Sequence, residues 1–327
     1  MTLMEDEIKE SSEAIRRTGK SVHDNSPKAA ELVKAASFVI LTGSGTSFNA
    51  GHSMLLNLVR AGIPALEIRA PDFSSYINGK FKKKTVVIVL SQSGESRDAI
   101  TAAELAIKSG ASLIGVTNER ESALAKMSSV CLLTDAGRER SVAATKSFTA
   151  QLAALLLLKG DVENINYQGK IEEISKWAKT YTEDFSILDP AVKKLKEKIV
   201  ILGDGYLYSI AMEAALKLRE TANLTTDAFN LREYLHGPIR TLDRNTTVII
   251  LGRRNDENTE VVEAVSKYAG SVVEIGDTSN ADVKIIPVEE CLKPLVYALP
   301  IQIMACRKTL SLGLNPDKPD KLTKVVR

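Results

Sequence analysis

The feature that most constrains this chain is an alternation of two patterns, and it occurs twice. Short apolar, β-rich runs stand at 37–41, 65–68, 85–90, 112–116 and 130–133. Helical patterns lie between or after them, closing on a long apolar helix over about 145–159. After a charged helical stretch at 169–197 the rhythm restarts, with apolar runs at 198–202, 247–251 and 272–275 and helical patterns at 208–222 and 260–269. Apolar strands alternating with amphipathic helices indicate parallel βαβ units and an α/β fold. The halves can be laid over one another. Val39 matches Val200 at an offset of 161, and Val86 matches Val248 at an offset of 162. Two landmarks at nearly one offset argue for an internal duplication. The expected organisation is a polar helical segment over 1–27 (helical from residue 4 to 25), a first domain over 28–165, a helical connection over 166–195, and a second domain with the C-terminal tail over 196–327.

In such sheets ligands sit at the carboxyl ends of strands, beside helix N-termini. Two turns of the first half are rich in hydroxyls there: Gly43-Ser44-Gly45-Thr46-Ser47 and Ser91-Gln92-Ser93-Gly94-Glu95-Ser96. Free backbone N–H groups and the helix dipole favour an anion at that position. Helix capping by Ser44, Ser47 or Ser93 would need one such residue per helix, fewer than these turns carry. A phosphate cradle is expected. Gly43-x-Gly45 opens like a dinucleotide fingerprint, and Glu67 could mimic its ribose-binding acid, but Phe48 stands where the third Gly belongs. No P-loop run is present. The corresponding turn of the second half, Gly252-Arg253-Arg254-Asn255, lacks hydroxyls, so the two halves are expected to have specialised.

Acid–base candidates are few. His236 precedes Gly237-Pro238 and is expected on a turn. His23 reads as a surface residue and His52 as a structural one. Lys217 and Glu220 stand at i, i+3 in a mostly apolar helical stretch, where a partly buried pair is plausible. On composition alone Lys324 reads as a tail charge.

The formal net charge of +2 gives no basic footprint for nucleic acid, and the basic run at 82–84 reads as a solvated strand entry. Cys131, Cys291 and Cys306 are scattered in apolar stretches, are expected as buried reduced thiols, and offer no zinc pattern. The acidic, polar stretch 1–10 does not read as a secretory signal, and the apolar run near 152–158 is far below the ~20 residues of a membrane span. A cytoplasmic enzyme is expected.

Together these motifs resemble the sugar isomerase (SIS) domain family, and within it the isomerase half of glucosamine-6-phosphate synthase. The matching stretches are GTSFNAG at 45–51, SQSGES at 91–96, SVAATKSFTAQL at 141–152, EAALKLRE at 213–220, LHGP at 235–238 and LNPDKPDKLTKVVR at 314–327. The resemblance implies two tandem flavodoxin-like domains, each a doubly wound parallel sheet, binding fructose 6-phosphate or glucosamine 6-phosphate. Carried over by motif, Thr46, Ser47, Ser91, Gln92, Ser93 and Ser96 would hold the phosphate, and Val142 and Ala144 would face the sugar. Glu220 would move the proton between C1 and C2, and Lys217 would aid it electrostatically. His236 would assist ring opening from the neighbouring subunit of a homodimer. Lys324 would form a Schiff base with the open-chain ketose. No cofactor or metal is implied. Ala144 departs from a frequent Ser, and no cysteine precedes Cys131 to serve as a glutaminase nucleophile. A deaminase converting glucosamine 6-phosphate to fructose 6-phosphate and ammonia is therefore expected. A synthase subunit fed by a separate glutaminase or by free ammonia, a simple aldose–ketose isomerase and a non-catalytic sugar-phosphate sensor are the alternatives. Joint retention of Glu220, His236 and Lys324 weighs against the sensor.

Overall fold

The computed structural model describes residues 2–252 and 256–324. The expectation for Arg253, Arg254 and Asn255 lies outside the described residues. Two compact units are present, and the division between them is not a single cut. One contains 9–139, 144–180 and the tail from 323; the other contains 1–8, 140–143 and 181–322.

The first unit begins with helices α2 (Ser11–Ser21) and α3 (Ser26–Lys34), after a short α1 (Leu3–Lys9) that groups mainly with the other unit. Its strands are β1 (Phe38–Gly43), β2 (Ala65–Arg69), β3 (Thr85–Leu90), β4 (Ser112–Thr117) and β5 (Val130–Leu133). They form one sheet of order β2-β1-β3-β4-β5, with every pairing parallel. Helices α4 (Thr46–Arg60), α5 (Phe73–Tyr76), α6 (Arg97–Lys108), α7 (Ala123–Met127), α8 (Lys146–Glu163) and α9 (Gln168–Tyr181) accompany it. All six residues of β3 are buried, which is why TVVIVL reads as a continuous apolar run rather than an alternation. Helix α8 is buried along nearly its whole length for the same reason.

The second unit holds α10 (Asp189–Lys193), β6 (Lys198–Leu202), α11 (Tyr206–Ala222), β7 (Thr225–Phe229), β8 (Thr246–Leu251), α12 (Asp256–Tyr268), β9 (Ser271–Gly276), β10 (Val283–Lys284) and α13 (Lys293–Ser311). Its sheet order, read from the other edge, is β7-β6-β8-β9-β10, again wholly parallel. Both sheets thus have the flavodoxin-like order 2-1-3-4-5. The duplication landmarks prove to be register partners: Val39 pairs with Val86 across β1 and β3, and Val200 with Val248 across β6 and β8. The expected α/β architecture of two doubly wound parallel sheets is therefore present.

Several local expectations are corrected. The stretch 4–25 is two helices broken at Glu10. Asp317 accepts from the N–H groups of Leu3 and Met4 at 2.9 and 2.8 Å, and buried Glu7 accepts from the N–H and hydroxyl of Ser141. These bonds hold α1 to the second unit and break the continuity. Sequence reading assigns no element to β7, β10 or α13. β7 is an edge strand carrying two Thr and an Asp, β10 has only two residues, and α13 contains Pro300 in its interior with apolar side chains on all faces. Of the three cysteines only Cys306 is buried; Cys131 and Cys291 are partly exposed, and none of the three is in a disulfide. Among the described residues no helix is long and apolar enough to cross a membrane.

Ile88 lies at the centre of β3 with no exposed surface. Truncation to Ala there is expected to cost about 2–5 kcal/mol through lost burial and a residual cavity, measurable as a lowered midpoint in denaturant unfolding.

Candidate active site

The order 2-1-3 puts the switch point of the first sheet between β1 and β3, the place at the strands' carboxyl ends where open α/β sheets take their ligands. Both hydroxyl-rich turns lie there. The first joins β1 to α4, and its Gly45 adopts φ 53°, ψ −128°, a conformation that essentially only glycine tolerates. Gly205, at the matching point before α11, adopts φ 54°, ψ −122°. The duplicated turns therefore share their backbone geometry and differ in side chains. Where the first has Ser44, the second has Asp204, whose carboxylate accepts from Leu231 N–H at 2.7 Å.

The residues at the two N-cap positions are Gly45 for α4 and Ser96 for α6. Neither α4 nor α6 has a side-chain cap hydrogen bond. Ser44 Oγ is buried without a hydrogen-bond partner, and burying such a group costs free energy unless something pairs with it. Ser91 Oγ accepts from Gly94 N–H at 3.1 Å and Ser93 Oγ from Glu95 N–H at 3.2 Å, which hold the second turn tight. Gly94 has φ +61°, and a Cβ there would lie 2.2 Å from Ser122 Oγ and 2.8 Å from Thr117 Oγ1. Ser47 Oγ accepts from Gln151 Nε2 of α8 at 3.0 Å. Sequence reading missed one cation. Arg69, in register with Gly43 across β2 and β1, stacks its guanidinium 4.1 Å from the centre of the Phe48 ring in the first turn of α4. The signal was a basic residue at the carboxyl end of a strand beside the cradle strand. Glu67 does not act as a free ribose-binding acid: its Oε1 lies 2.7 Å from His52 Nδ1, which also explains His52 as a structural residue.

Lys324 is held in this same unit. Its ammonium donates to Glu139 Oε2 at 2.7 Å, so the reading of Lys324 as a plain tail charge is set aside. Glu139 is itself buried, with 6% of its surface exposed. It accepts from Thr145 N–H at 2.8 Å, Ser147 N–H at 3.2 Å and Ser147 Oγ–H at 2.6 Å, so it occupies the anion position at the N-terminus of α8. Burial pushes this carboxyl up, but the charge and hydrogen bond of Lys324, with those of Ser147 and Thr145, outweigh it and hold the group below its ordinary value. Ser147 and Gln151 are i, i+4 neighbours on one face of α8, separated by a rise of about 6 Å. Lys324, Glu139 and Ser147 thus form one hydrogen-bonded chain, and Gln151, one turn further along α8, bonds the cradle residue Ser47. Glu139 and Gln151 were not singled out in the sequence, although Gln151 lies inside the 141–152 motif.

The other candidates lie in the second unit. Lys217 and Glu213 on α11 are fully buried, and the Glu220 side chain is 23% exposed. The Lys217 ammonium donates to Glu220 Oε2 and lies 3.5 Å from Glu213 Oε1. The expected i, i+3 pair is therefore part of a partly buried triad in which one ammonium serves two carboxylates, Glu213 being the member that sequence reading passed over. The apolar AMEAALKL stretch makes this possible by burying that face of the helix. His236 is exposed at the end of a 3₁₀ turn, Glu233–His236, followed by Gly237 at φ 139°. Tyr234, fully buried with its ring 5.4 Å from that of Phe229, anchors the turn. Val142, partly buried, donates its N–H to the Asp317 carbonyl at 3.1 Å. Ala144 is partly buried and belongs to the cradle unit. Among the described residues no group of three or more His, Cys, Asp or Glu side chains is arranged to hold a metal ion.

Two outcomes follow from this geometry. Gly94→Ala forces a Cβ into Ser122 and Thr117 at a positive φ, and is expected to weaken inorganic phosphate binding at least tenfold and to lower stability by roughly 1–3 kcal/mol, read by calorimetric titration and thermal melting. Because the native Glu139 carboxyl is depressed from its ordinary 4.5, its link to folding is at full strength above that pH. The link is lost as pH falls through the lower native value. Wild-type stability should therefore fall more steeply between about pH 5 and 3 than that of Glu139→Gln, in thermal melts across that range.

Comparison with known proteins agrees with the fold. The SIS domain model matches residues 31–159 and 194–310. A glutamine–fructose-6-phosphate aminotransferase (isomerizing) of Sulfurisphaera tokodaii is 33% identical over 98% of this chain and 55% of its own length. The chain thus spans about half the length of that relative. The C-terminal domain of glucosamine-fructose-6-phosphate aminotransferase from Francisella tularensis superimposes with a TM-score of 0.82 at 24% identity, covering 98% of each chain. A glucosamine-6-phosphate deaminase from Thermotoga maritima superimposes with a TM-score of 0.83 at 22% identity, covering 99% of each. These last two likenesses show a shared fold. With both halves matched by the family model on two sheets of one topology, the chain belongs to the SIS domain family.

Proposed function

We propose that this protein is an amino-sugar-phosphate deaminase/isomerase that converts glucosamine 6-phosphate and water to fructose 6-phosphate and ammonia. The observation that carries the reading is the Glu220 carboxylate, partly exposed and held by the buried Lys217, in a chain that also carries two hydroxyl-rich turns at strand carboxyl ends, with Ser44 Oγ buried and unpartnered. A carboxylate is the group needed to carry a proton between adjacent carbons. The cradle, with Thr46, Ser47, Ser91, Gln92, Ser93 and Ser96, binds the phosphate and leaves the sugar end to react, and Val142 and Ala144 flank the sugar.

In this reading His236, supplied by the neighbouring subunit of a homodimer, passes a proton to the ring oxygen and opens the sugar to its aldehyde. Glu220 removes the C2 proton and returns it to C1, leaving an imine at C2. Lys217 offsets the charge that develops during that transfer. Lys324 attacks C2, ammonia departs, and water releases fructose 6-phosphate and regenerates the amine. The names of the aminotransferase relatives support a second reading, the same chemistry run toward glucosamine 6-phosphate with ammonia from a glutaminase.

Purified protein given glucosamine 6-phosphate should release ammonia and fructose 6-phosphate in equal amounts. Incubation of fructose 6-phosphate with ammonium, or with glutamine, separates the two directions. Absence of amino-sugar turnover in every arm would overturn the proposal. Glu220→Gln should lower kcat by about 10²–10⁴-fold while KM changes little; an unchanged kcat would remove Glu220 from the role of base.

A further inference from the structure

We propose that Glu139 is the counter-ion of the nitrogen at which Lys324 reacts, pairing with the lysine ammonium before condensation and with the iminium after it. The inference rests on the assignment of Lys324 as the Schiff-base lysine. It adds a residue that neither the family motifs quoted above nor the reaction scheme names.

The geometry carries it in three ways. The Lys324 ammonium lies 2.7 Å from Glu139 Oε2, so the carboxylate touches the reacting atom. Glu139 is nearly inaccessible, and its contacts with Thr145 and Ser147 fix it at the N-terminus of α8. It cannot follow a mobile lysine; the lysine must come to it. Finally, Ser147 and Gln151 connect it along one helix face to the cradle hydroxyl of Ser47. A phosphate held at the cradle and an imine held at Glu139 are thus indexed on a single rigid helix.

The charge balance makes the arrangement sensible. Condensation converts an ammonium and a ketone into a protonated imine and one water. In exchange, the Lys324 ammonium first passes a proton to the substrate imine nitrogen; the neutral amine then adds to C2, ammonia leaves, and a protonated Lys324 imine remains. The product nitrogen carries one positive charge in either route. A buried anion that stabilises the ammonium therefore stabilises the iminium equally well, and the cavity need not gain or lose charge when the covalent bond forms. The protonated imine is also the better electron sink when the neighbouring carbon loses its proton.

Reductive trapping tests this directly. The protein is incubated with fructose 6-phosphate and cyanoborohydride, and the adduct is located by peptide mass spectrometry. Wild type is expected to carry the hexitol phosphate on Lys324. Glu139→Gln keeps an acceptor for Thr145 and Ser147 but removes the charge. It is expected to trap roughly tenfold or more less adduct while calorimetry shows fructose 6-phosphate binding retained within about threefold. If Glu139→Gln does not fold, Glu139→Asp carries the test: the carboxylate is withdrawn by one methylene, and trapping at Lys324 must fall severalfold. Equal trapping in wild type and a folded variant overturns the counter-ion role. Trapping at another lysine, or turnover without any trapped lysine, overturns it together with the Schiff-base assignment. Absence of both turnover and trapping overturns the proposed function itself.

Discussion

A parallel strand can reach its next parallel neighbour only by crossing over the sheet, so every crossover helix starts at the strands' carboxyl ends. That constraint organises both halves of this chain. It brings helix N-termini to one edge of each sheet, and the order 2-1-3 places a switch point between two of them. Anion binding then needs little more than glycine for close approach and small hydroxyls for donors. The first half supplies both in the turns after β1 and β3. The second half keeps the glycine backbone, with Gly205 reproducing Gly45 almost angle for angle, and replaces the hydroxyls.

Buried carboxylates do the finer positioning. Glu7, Glu139 and Glu213 are each removed from water, and each is compensated by donors fixed in sequence far away or one helical turn away. Removing a charge from water is costly unless its partners are in place. Two of these residues therefore commit a distant segment to a single location, α1 and residue 141 for Glu7 and the C-terminal tail for Glu139, while Glu213 fixes Lys217 one turn along its own helix. Such links explain why the compact units do not follow the midpoint of the chain and why the tail from residue 323 groups with the first sheet.

Most of the fold could be read in advance because two-sided burial of parallel strands writes itself as uninterrupted apolar runs. Strands β3, β5 and β6 lie at the expected positions, and the duplication landmarks turn out to be register partners on adjacent strands. The edge strands β7 and β10 and helix α13 escaped because their signals are mixed. An edge strand tolerates Thr and Asp, and a helix buried on every side shows no 3.6-residue alternation. Of the candidate site, the cradle was legible from local chemistry alone, and the i, i+3 pair of Lys217 and Glu220 from helical spacing. The significance of Lys324 came only with family resemblance, because a lone lysine near a chain end carries no local pattern.

By itself the sequence determined the α/β class, the duplication and the location of the hydroxyl-rich turns. Each of these depends on residues within one or two turns of each other, or on a period repeated along the chain. Tertiary structure alone decided which distant side chains meet. Glu139 with Lys324, Arg69 with Phe48, His52 with Glu67 and Gln151 with Ser47 are pairs set by how strands order and helices pack. The physical reason is one of range. Backbone preference and hydrophobic period act over a few residues, whereas the pairing of a buried charge is chosen by whichever partner the packed fold carries to it.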